Sequence, residues 1–225
     1  MPPETLSIPV ASGELSSYYT RPDEAGPWPA IVVIHEINGL NDNIRDIARR
    51  FAGQGYAALA VDLFHGRNRA VCMARFMGGM VLNSLNNRAI KDLKATLTHL
   101  AGLPGVDPER LGAIGFCMGG SFAIAWACTD ERLKVIAPYY SMNPRPLDAV
   151  ARSCPVVGSF PEKDFTAGAA RKLKEALDMS DVPHDIKIYP EARHSFFNDQ
   201  GDNYDPAASE EAWQRTLAFF GEYLL

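Results

Sequence analysis

The sequence predicts an α/β fold: a mostly parallel central sheet with helices packed on both faces. Short apolar runs alternate along the chain with longer stretches of helical periodicity. Several of those runs are apolar at successive positions, as parallel strands covered on both faces require. The 225 residues are 47% hydrophobic and 22% charged, enough apolar side chain for a sizeable core in one domain spanning 1–225.

Taken in order, 6–10 and 14–20 read as an antiparallel pair at the sheet edge. The central strands are predicted over 31–35, 56–61, 111–116, 135–139, 155–160 and 185–189. Helical stretches fall near 42–54, 87–100, 118–128 and 167–179, with a last helix over about 206–223. That last helix has a clear start signal, Asp205 as side-chain cap followed by Pro206. Its Trp213, Leu217, Phe220 and Leu224 recur at helical spacing, so they belong to the core. The stretch 63–86, rich in Met, Gly and Arg, does not fit the alternation and reads as an insertion bordering a site.

The net charge of −5 argues against nucleic acid or an anionic membrane as partner. No apolar run approaches the roughly 18 residues of a membrane span, and MPPETLSIPV has no signal-peptide pattern. A soluble, cytoplasmic protein is the expectation. Cys72, Cys117, Cys128 and Cys154 form no C-x-x-C pair and lack histidines at zinc-finger spacing, so four free thiols and no metal site are expected.

Cys117 stands apart from the other three. Gly115-Phe116-Cys117-Met118-Gly119-Gly120 lies between a predicted strand and a predicted helix, in the form G-x-C-x-G-G. This is a nucleophile elbow with cysteine in place of serine, whose tight turn demands small flanking residues. It puts the thiol at a helix N-terminus, and the Met118 N–H becomes an oxyanion donor. Such an elbow belongs to the α/β-hydrolase fold, where nucleophile, acid and histidine follow in chain order. Of His35, His65, His99, His184 and His194, only the last two lie well downstream, and His194 falls in a loop after the last predicted strand. Asp164 and Glu162 both follow the strand 155–160 and compete as the acid.

At this point the chain resembles the dienelactone hydrolases (carboxymethylenebutenolidases). The resemblance runs from Ile31 to Phe220 through several separated motifs. These are His35-Glu36-Ile37-Asn38-Gly39-Leu40, Gln54-Gly55-Tyr56-Ala57-Ala58, Val61-Asp62-Leu63-Phe64, the elbow, Glu162-Lys163-Asp164 and Arg193-His194-Ser195-Phe196. It implies a cysteine-dependent lactone or ester hydrolase with a Cys117–His194–Asp164 triad and no cofactor. It further implies that Glu36 sits by the resting thiol and takes its proton when substrate arrives, and that the Ile37 N–H is the second oxyanion donor. Two arginines bind the dienelactone carboxylate in these enzymes. Arg75, with Arg69 as competitor, matches one, whereas Asn198 stands where the other belongs, so weaker carboxylate binding is expected. The alternatives are the same triad acting on a thioester or small amide, a non-catalytic ligand binder, and a redox thiol.

Overall fold

The computed structural model describes every residue but Met1, Ser12, His65 and Arg67, and every side chain except those of Arg69, Met77, Val81, Leu82 and Asn83. The side chain of the competing arginine, Arg69, therefore falls outside the described parts, as does His65, one of the three histidines upstream of the elbow. Eight strands form one sheet: β1 (Glu4–Val10), β2 (Gly13–Thr20), β3 (Trp28–Ile34), β4 (Ala57–Val61), β5 (Val106–Phe116), β6 (Leu133–Tyr139), β7 (Val156–Lys163) and β8 (His184–Arg193). Their order is β1-β2-β4-β3-β5-β6-β7-β8. The first two strands are antiparallel, and every pair from β4 to β8 is parallel.

β3 and β4 are buried at every position, which explains their unbroken apolar sequence. On one face pack α1 (Asp42–Ala52) and α6 (Pro206–Leu224), through Ile44, Phe51, Trp213 and Phe220. On the other lie α3 (Arg88–Ala101), α4 (Met118–Ala127) and α5 (Ala167–Asp178), through Leu93, Leu97, Phe122, Trp126 and Leu173. The start of α6 is as the sequence predicts: Asp205 accepts from the Ala208 N–H at 3.0 Å, with Pro206 in the first turn.

Several elements depart from the sequence reading: β8 runs on to Arg193, four residues past its predicted end, and two further departures are larger. The stretch 63–86 carries a helix of its own, α2 (Arg69–Asn83), capped by Asn68 and continued by one 3-10 turn. Gly78 and Gly79 blur its apolar pattern. β5 begins at Val106, five residues before its apolar run, because Val106 pairs with Trp28 ahead of a register shift.

The chain order reverses between β3 and β5: β4 lies on one side of β3, and every later strand on the other. Loops leaving the carboxyl ends of strands diverge at such a switch point and leave a crevice. Register aligns the ends, with Ile34 beside Gly115 and Phe116 beside Tyr139. Glu36, Cys117 and Tyr140 therefore leave the sheet side by side.

Candidate active site

Cys117 follows β5 directly and caps α4 with φ 54° and ψ −114°. A side-chain-bearing residue rarely takes this left-handed backbone, and the surroundings must impose it. They do so by close approach. A Cβ on Gly115 would strike the Gly119 carbonyl, and one on Gly119 would strike the carbonyls of Ile34 and His35. The Cys117 N–H donates to the Tyr139 carbonyl at 3.0 Å, and its carbonyl accepts from the Ser121 N–H at 3.1 Å, which closes the elbow.

Asp164 and His194 arrive by the same logic. Lys163 pairs with Arg193 at the ends of β7 and β8, so the next residue of each strand meets the other. His194 Nδ1 donates to Asp164 Oδ2 at 2.8 Å. Asp164 Oδ1 accepts from the Phe165 N–H at 2.8 Å, and the Thr166 hydroxyl also donates to Oδ2. The aspartate side chain is 3% exposed and the histidine 25%, so the acid is fixed while the imidazole reaches solvent. The ring of Phe165 stacks on His194 at 5.0 Å, and the Tyr140 ring lies tilted against it at 5.1 Å. Glu162, the competing acid, instead pairs with Arg171 on the surface.

Among the described residues, no hydrogen bond joins the Cys117 thiol to His194. Burial, and then the neighbouring Glu36 carboxylate, push the thiol up to about 12, against a smaller lowering by the Met118 backbone. Asp164 adds to the rise. At neutral pH the group is a thiol, in spite of its helix N-terminus.

Glu36 is buried and accepts from the Tyr140 hydroxyl at 2.7 Å. Tyr140 is itself held well above the usual phenol range, first by burial and then by Glu36. His35, fully buried, bridges two backbones. Its Nε2 accepts from the Leu63 N–H at 3.0 Å, so its Nδ1 carries the proton and donates to the Glu36 carbonyl at 2.5 Å. That carbonyl and the Ile37 N–H belong to one planar peptide unit, so His35 sets the direction of the Ile37 N–H.

A cavity of about 120 Å³ opens beside Cys117, walled by Ile37, Met73, Met80, Met118, Met142 and Phe165 among others. Neither Arg75 nor Asn198 lines it, against expectation. Met73 and Met80 are seven residues apart and share one face of α2, while Arg75 is turned about 200° from Met73 and is exposed. Asn198 is folded back into its own loop, where its Oδ1 accepts from the Gln200 N–H at 3.1 Å. Sequence reasoning missed Tyr140, His35 as a bridge, Phe165 and the methionine walls. Tyr140 was findable, since it stands one residue past a central strand, as Cys117 does.

A switch-point crevice with a left-handed elbow after β5 and a carboxylate–histidine pair after β7 and β8 defines an enzyme of the α/β-hydrolase fold. Comparison with known proteins gives the family. The model of the dienelactone hydrolase family matches residues 15–224, and the chain belongs to that family, whose members are carboxylic ester hydrolases. A Yersinia pestis protein named "Putative carboxymethylenebutenolidase" is 30% identical over 96% of this chain and 87% of its own length. A Saccharolobus solfataricus protein of the same name is 32% identical, over 86% of this chain and 89% of its own. Among solved structures, a "Putative Dienelactone Hydrolase" from Klebsiella pneumoniae superposes with a TM-score of 0.86 at 27% identity, covering 99% of each chain. No helix among the described residues is long and apolar enough to cross a membrane.

Proposed function

We propose that this chain hydrolyses small carboxylic esters or lactones through an acyl-enzyme on Cys117, with Asp164 orienting His194. The observation that carries this reading is the elbow, a thiol held at φ 54° over a helix N-terminus at the edge shared by the 2.8 Å His194–Asp164 pair. The substrate carbonyl oxygen sits between the N–H groups of Ile37 and Met118. As the sulfur attacks, Glu36 takes the thiol proton. The S–C bond forms, the ester C–O bond breaks, and the departing alkoxide takes up the proton that Glu36 took from the thiol, which returns Glu36 to its carboxylate.

In deacylation His194 removes a proton from water, and the hydroxide adds to the thioester carbonyl. The S–C bond then breaks, the acid leaves, and the proton on His194 returns to the sulfur. Holding the resting group as a thiol also protects it from oxidation until substrate arrives.

The test is hydrolysis of a p-nitrophenyl ester by single cysteine variants. Cys117→Ala should abolish turnover, while Cys72→Ala, Cys128→Ala and Cys154→Ala should keep most of it. Turnover by Cys117→Ala at the wild-type rate overturns the proposal.

A further inference from the structure

We infer that the cavity beside Cys117 is an acyl pocket for short, neutral, apolar acyl groups of about four to six carbons, and that it rejects acyl groups ending in a carboxylate. This rests on Cys117 being the nucleophile and narrows the substrate class of that same site.

The walls carry the argument. Met73 and Met80 from α2 face Met118, Met142, Ile37 and Phe165, and no charged side chain is among the described residues lining the cavity. Its mouth is apolar as well: Ile37 is 49% exposed, Met142 46% and Phe165 70%. Single exposed hydrophobic residues are ordinary, but three converging on one cavity mark a ligand surface. The local field has the same sense. Glu36 and Asp164 both act on the Cys117 thiol as negative neighbours, and among the described residues no wall cation offsets them. A substrate carboxylate placed there would lose its water and meet like charge.

Size follows from the volume. About 120 Å³ is slightly less than the roughly 150 Å³ that holds a benzene ring in an apolar protein cavity. Orientation follows from the wall: the cavity touches Cys117, Ile37 and Met118 but not His194. The water that His194 activates takes the place of the leaving group, so the leaving group lies on the His194 side and the acyl chain fills the cavity. Methionine side chains adapt to shape, so chain-length selection should be graded, not sharp.

The test pairs turnover with a probe that needs none. For p-nitrophenyl acetate, butanoate and hexanoate, kcat/KM should rise about three- to fourfold per added methylene, then level off. The mono-p-nitrophenyl ester of glutaric acid should be at least about a hundredfold poorer than the pentanoate. Met142→Lys should raise the glutarate-to-pentanoate ratio by about two- to fivefold. A wild-type ratio near one, or no dependence on chain length, overturns the inference.

In parallel, Cys117 is modified with N-ethylmaleimide, N-butylmaleimide and N-(2-carboxyethyl)maleimide, read by peptide mass spectrometry. The butyl reagent should react fastest and the carboxylated one slowest. If no ester is turned over, the catalytic reading has failed. The maleimide series then decides the pocket alone: graded rates support it, and equal rates overturn it.

Discussion

Removing the charge of Glu36 should make Cys117 easier to alkylate and the enzyme slower. Burial and then Glu36 raise the thiol to about 12, so near pH 8 only about one molecule in ten thousand carries a thiolate. An opposite charge at close range moves a pKa by about 1–3 units, and a like charge acts in the other sense. Glu36→Gln keeps the shape and the burial but deletes the negative neighbour, which favours the thiolate and lowers the pKa. Iodoacetamide alkylation of Cys117 near pH 8 should therefore speed up about tenfold or more, and the midpoint of the pH profile should fall by at least about one unit. The midpoint should stay above that of an ordinary cysteine, because burial is the larger cause and remains.

Turnover should move the other way, dropping by roughly 10²-fold or more as the base is lost. Tyr140→Phe is the control. It breaks the same 2.7 Å hydrogen bond but keeps the carboxylate charge, so the midpoint should remain high. An alkylation profile in Glu36→Gln superimposable on wild type, with unchanged turnover, would refute this reasoning and leave Glu36 a loop residue.

Two further outcomes test how the elbow and the oxyanion donor are held. Gly119→Ala forces a methyl group into the Ile34 and His35 carbonyls and should cost about 3 kcal/mol or more in urea unfolding. Gly168→Ala, in α5 with open space around it, should be neutral or stabilising by up to about 1 kcal/mol; equal costs at the two positions would contradict the elbow account. His35→Leu leaves the Leu63 N–H without the ring and the Glu36 carbonyl with the Gly39 N–H at 3.2 Å as its remaining donor, so the Ile37 peptide is held less firmly. Its kcat should fall by about ten- to a hundredfold with KM little changed. A lower Tm with intact kcat would make His35 structural only.

Much of this architecture was legible because its signals are local. Unbroken apolar runs marked β3 and β4, and the G-x-C-x-G-G turn marked the switch from β5 to α4. His194 could be placed because it stands just past a strand end, in the chain order the fold imposes, whereas position left Asp164 and Glu162 open and only the family resemblance chose Asp164. What escaped depends on packing between distant elements. The cavity walls come from the phase of α2 against the elbow, which places Met73 and Met80 inward and Arg75 outward, and Gly78 and Gly79 hid that helix. Asn198 was matched by position alone, but its loop turns back on itself between Ser195 and Gly201. The role of His35 needed three-dimensional partners, since nothing in His-Glu-Ile says which backbone atoms the ring will meet.

The central claim, an acyl-enzyme on Cys117, is tested most directly by trapping it. His194→Gln should acylate but stall before water attacks, so exposure to p-nitrophenyl butanoate followed by acid quenching should leave one butanoyl group. Peptide mass spectrometry should place that group on Cys117 as a thioester that hydroxylamine removes. An acyl group on Ser121 or Ser195 instead, or none on a protein that still hydrolyses the ester, would contradict the account.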